Sequence, residues 1–128
     1  MAKVLQDIVR DQALSYIENN CDQIVLCAGE PADYAAATSD SGSGGNALGE
    51  SAIGAADVTL ADGVTGRKAT FASKIINVDV SGTADHIAIV DDTNSNLLLT
   101  TTIDPTRSVS AGDETETAAF DLEIEAVS

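Results

Sequence analysis

Residues 76–90, INVDVSGTADHIAIV, decide the fold class. Ile76, Val78 and Val80 alternate with Asn77 and Asp79, the two-residue period of a strand with one buried face. His86 to Val90 is apolar at nearly every position, as expected of a central strand. The same period extends outward to Val58-Thr59-Leu60, to Lys68–Phe71 with Ala69 and Phe71 on one face, and to Phe120, Leu122 and Ile124 set against Asp121, Glu123 and Glu125. Leu97–Ile103 is rich in β-formers, and Gln23–Ala28 (QIVLCA) reads as a short buried strand. Turn residues mark the breaks at Asp62-Gly63, Ser81-Gly82, Asp91–Asn96, Asp104-Pro105 and Ala111-Gly112-Asp113. Strands at this spacing predict a mainly β protein, an antiparallel β-sandwich or flattened barrel of about six to eight strands with one N-terminal α-helix.

That helix is expected within residues 1–20. Leu5, Ile8, Val9, Ala13, Tyr16 and Ile17 share a broad face that would cover the core, with Lys3, Asp7, Arg10, Asp11 and Glu18 opposite. Residues 29–57 are rich in Gly, Ala and Ser and read as one long loop, and 58–128 as the main β region of a single domain, 1–128.

The chain has 128 residues, enough for one domain with a core. Aromatics are only 3% of it, so that core is aliphatic. Six basic residues against 21 acidic ones leave a net charge of −15, which argues against nucleic acid and anionic membranes as partners. No apolar run approaches the roughly 20 residues of a membrane span. The start, MAKVLQDIVRDQ, is too charged for a secretory signal, so synthesis in the cytosol is expected.

Reactive constellations are sparse. Cys21 and Cys27 lack the spacing of a redox pair or zinc knuckle and read as packed thiols. SGSGG at 41–45 lacks the Gly-Lys-Ser/Thr of a phosphate loop, and His86 has no Gly-x-Ser-x-Gly elbow to serve. Asp92, Asn94 and Asn96 are spaced like calcium-loop ligands. Leu97 stands where that loop needs Gly, and Ile103 where it needs Glu, so the segment reads as a hairpin turn. No cofactor or catalytic residue is assigned; a structural calcium elsewhere among the carboxylates stays open, as does a small enzyme or calcium-dependent module as the least favoured reading.

Ala13-Leu14-Ser15-Tyr16-Ile17 with Asn20, Ile24–Cys27, Glu30-Pro31 and Tyr34 resembles the opening of a family of small structural proteins of tailed bacteriophages and prophages. The resemblance resumes at Gly66-Arg67-Lys68 and Gly82–Asp91, and continues through Leu97-Leu98 and the threonine run. It closes with Val109–Asp113 and Ala119–Ile124, while the stretch before Arg67 departs from the pattern by its length. It implies a virion component on the outer surface of the head. There a capsid decoration or cement protein, not an enzyme, would bind the major capsid protein and copies of itself, trimers among them. A tail, fibre or host-surface adhesion component is the alternative. Scarce cations on an acidic chain make Lys3, Arg10, Arg67 and Lys68 expected contact residues, together with Tyr34 in the 30–53 loop. The competing reading of Arg67-Lys68 is neutralisation of nearby aspartates.

Overall fold

A computed structural model describes residues 6–124. Nine strands run through them: β1 (Gln23–Cys27), β2 (Ala47–Ala52), β3 (Val58–Asp62), β4 (Arg67–Phe71), β5 (Lys74–Val78), β6 (Gly82–Asp91), β7 (Asn96–Val109), β8 (Glu114–Thr117) and β9 (Phe120–Ile124). Two helices, α1 (Asp7–Asn20) and α2 (Tyr34–Thr38), accompany them. Six strands form one sheet in the order β7-β6-β1-β2-β5-β8 and three form another, β3-β4-β9. Every pairing between these strands is antiparallel, as a sandwich requires.

The interior of the large sheet explains why 23–27 and 86–90 show no alternation. In β1, Ile24 and Leu26 point inward to the interlayer core, and so do Ile87 and Ile89 of β6. Val25, Cys27, Ala88 and Val90 point the other way and are buried as well, beneath Ala37 and Tyr34 of α2. A strand covered on both faces has no polar side to display. The small sheet closes the inner core with Val58, Ala69 and Phe71, and Phe71 stacks on Phe120 with ring centroids 4.8 Å apart.

Two expectations about the first half of the chain are corrected. The core-facing stripe of α1 is Arg10, Leu14 and Ile17, continued by Cys21, rather than the broad apolar face read from the wheel. Leu5 lies outside the described residues. The segment 29–57 is not one loop, since α2, β2 and a 3-10 turn at Ala55–Asp57 lie within it. Asp33 caps α2 by accepting from the Ala36 N–H at 2.8 Å. The sequence of β2, ALGESA, has little β preference. It becomes a strand because β1 and β5 flank it and supply ladders on both edges. Gly49 belongs there because a Cβ would lie 2.3 Å from the Asn77 carbonyl oxygen across the β2–β5 pair. The serine-glycine tip folds back on itself: Ser43 and Gly45 N–H donate to the Asp40 carbonyl, and Gly42 and Gly44 take positive φ.

Asp104-Pro105 does not end a strand either. β7 continues through it, because a bulge sets residues 103–106 against Asp85 alone, between the pairs His86↔Thr102 and Ala84↔Arg107. Proline has no N–H for a ladder, and a bulge removes the need for one. β7 and β8 are the two ends of the large sheet, yet they follow one another through the turn 110–113. The sheet therefore curls until its ends approach. There Arg107 Nη1 donates to Thr115 Oγ1 at 3.0 Å and to the Glu116 carbonyl at 2.6 Å. Of the two expected forms the sandwich is the one found, with its larger layer curled so that β7 and β8 approach at this contact.

Candidate functional site

Of the five expected contact residues, Lys3 lies outside the described residues. The other four are engaged within the fold. Arg10 is buried against the core and pairs with Asp7 one turn earlier. Arg67 Nε holds Asp11 of α1 at 2.7 Å, and its Nη1 meets Asp62 of β3, so this one side chain pins the helix to the small sheet. Lys68 lies 3.4 Å from Asp121 on β9. Tyr34 donates its hydroxyl to Asp92 at 2.9 Å, joining α2 to the β6–β7 turn. Arg10, Arg67 and Lys68 therefore cluster around α1 and β4, whereas Tyr34 lies on α2 at the other face of the large sheet. They do not compose one basic patch. The geometry at Arg67-Lys68 matches the neutralisation reading.

What the pinning leaves outside is the candidate site. Ile8 is 68% exposed, Val9 50% and Tyr16 50%. Positions 8, 9, 12, 13 and 16 share one side of α1, and Gln12 and Ala13 between these three are exposed too. Three large apolar side chains along about two turns of helix make an outward strip, the kind of surface that marks a contact. Sequence reasoning found the residues and assigned the face to the core. The corrective signal is the pattern Arg10–Leu14–Ile17–Cys21, a narrower i, i+4, i+7, i+11 stripe that also reaches β1 through Cys21.

Carboxylates elsewhere hold backbone. Glu123 on β9 accepts from the N–H groups of Val64, Thr65 and Gly66 at 2.9–3.1 Å, which keeps its acid below the usual carboxylate range. Asp85 is lowered by its hydrogen bond to His86 Nδ1 and by the Gly29 N–H, at 2.9 and 2.6 Å. His86 is thus a hydrogen-bonding partner at the start of the buried run. Asp91 takes the Asn94 amide and backbone N–H, while Asp92 turns to Tyr34, so the suggested calcium ligands Asp92, Asn94 and Asn96 act as a hairpin turn. Among the described residues no group of three or more His, Cys, Asp or Glu is arranged to hold a metal ion. No helix among them is long and apolar enough to cross a membrane. Cys21 and Cys27 are both buried and unlinked, and burial pushes the Cys27 thiol up to about 12.

No protein-family model matches the chain, and no curated protein or solved structure does either.

Proposed function

We propose that this protein is a structural component of a phage virion, a capsid decoration protein that works by adhesion rather than catalysis. The observation that carries the reading is the outward strip Ile8–Val9–Tyr16 on a helix held to a β-sandwich by Arg67 and Asp11. A strip fixed in this way keeps its shape on binding, so little ordering entropy opposes the contact. Burying each of the three side chains contributes about 1.5–3 kcal/mol at most. That is weak for one copy. Many copies on a lattice, seated on the major capsid protein and on one another, resist expansion of the shell together. The acidic remainder of the surface would face solvent and keep the particles apart. The likeness of Ala13–Ile17, Ile24–Cys27, Gly66–Lys68, Gly82–Asp91, Leu97-Leu98, Val109–Asp113 and Ala119–Ile124 to small phage structural proteins supports the same reading.

The test is imaging of intact particles of the phage or prophage that encodes the chain. The reading requires the protein on the outside of the head in lattice stoichiometry, with α1 against the shell, and heads lacking it rupturing at milder heat or osmotic shock. A few copies confined to the tail, or none on mature particles, would overturn it.

A further inference from the structure

Where the two ends of the large sheet approach one another they leave a half-open cavity of about 180 Å3. Its walls are the inner faces of β6 and β7 (Ile87, Thr101, Ile103), the β8–β9 connection with Phe120, and Arg107. Position 107 is an odd place for a cation. Ala84 opposite it and Val109 two residues on both belong to the interlayer core. The charge balance makes it odder. Arg10, Arg67, Lys68 and Lys74 each sit against a carboxylate, whereas among the described residues Arg107 has no ion pair and bonds only a hydroxyl and a carbonyl. Among the described residues, then, one guanidinium stands at the mouth of an apolar and threonine-lined hole with no carboxylate paired to it.

We infer that this cavity binds a carboxylate carrying a short aliphatic body. The guanidinium would take the carboxylate through its N–H groups, Thr101, on the same face as Ile87, would flank it with a hydroxyl, and Ile87, Ile103 and Phe120 would line the aliphatic body. The volume is close to that of an engineered apolar cavity of about 150 Å3 that holds benzene, so a body of about five or six carbons fits. The same chemistry is offered by a free fatty acid of that length and by the last residue of a polypeptide ending in Leu, Ile or Val. The inference stands apart from the capsid reading, which uses α1 and shares no residue with this cavity.

The experiment is titration of the full chain, labelled with 15N, with hexanoate, hexanol and N-acetyl-leucine. Hexanoate should move the amides of 101–103, 107 and 117–120 with a millimolar Kd, and hexanol should bind at least tenfold more weakly. Arg107→Gln should abolish the preference for hexanoate over hexanol, and Arg107→Lys should keep part of it. Because Arg107 also ties β7 to β8, Ala119→Leu is the second variant: it fills the cavity, leaves the guanidinium in place and should remove binding of every probe. Tighter binding of N-acetyl-leucine than of hexanoate assigns the site to a chain terminus, and the reverse assigns it to a free acid. Equal binding of hexanol and hexanoate, shifts scattered over the surface, or unchanged binding in both variants would overturn the proposal. None of these outcomes depends on where the protein resides in a particle.

Discussion

The two helices lie on opposite sides of the molecule and treat apolar surface in opposite ways. α2 has five residues, mostly alanine, and buries Ala37 completely over Val25, Cys27, Ala88 and Val90. α1 has fourteen, buries Leu14 and Arg10, and turns Ile8, Val9 and Tyr16 outward. The short helix finishes a core. The long one joins a core with one side and presents a surface with the other. Length alone therefore says little about what a helix contributes, and the number of faces it must satisfy says more.

Five measurements break or sharpen that contrast, in descending order of effect. Leu14→Ala removes the main anchor of α1 and should cost about 2–5 kcal/mol in denaturant unfolding. Ala37→Leu forces volume under α2 and should cost about 1–3 kcal/mol, with faster modification of Cys27 by thiol reagents. The thiol under α2 also sets an alkaline limit. Its pKa is raised from 9.0 to about 12 by burial, so the folded state keeps a proton that the unfolded chain releases. The stabilising effect is whole below pH 9.0 and is lost as pH climbs toward 12, by up to about 1.4 kcal/mol per unit. Cys27→Ala should flatten that slope in stability measured from pH 8 to pH 10. Asp33→Ala deletes the cap of α2 and should cost about 1 kcal/mol by the same unfolding assay. Ile8→Ser with Tyr16→Ser should change stability by less than about 0.5 kcal/mol, while lowering occupancy on capsids in a co-sedimentation assay. A large loss of stability from that pair would mean the strip belongs to the core after all.

The β architecture was legible wherever one strand face meets water. Ile76/Val78 and Ala69/Phe71 show it, since alternation reports burial directly. The unbroken apolar runs at 23–27 and 86–90 were equally clear as buried strands, although the helix covering their second face was hidden among alanines. β2 was not legible because its strand character comes from its neighbours, and β7 was cut at Pro105 because a bulge is a property of two strands. The outward strip of α1 illustrates the same limit. A wheel ranks faces by hydropathy, but the salt bridge from Arg67 to Asp11, 56 residues away, decides which one turns inward. The cavity at Arg107 left no sequence signal beyond the scarcity of cations.

The pairing of β1 carries a consequence for synthesis. Its two ladder partners are β2, close behind it, and β6, which ends at Asp91. The most protected strand thus stays half-paired until Asp91 has left the ribosome, and β7 and β8 must follow before the sheet can curl. Folding of this kind is slow and late, with QIVLC exposed in nascent chains as an adhesive edge. Glu18, Asp22, Glu30 and Asp33 flank that segment with like charge, which opposes association of such chains until its partners arrive.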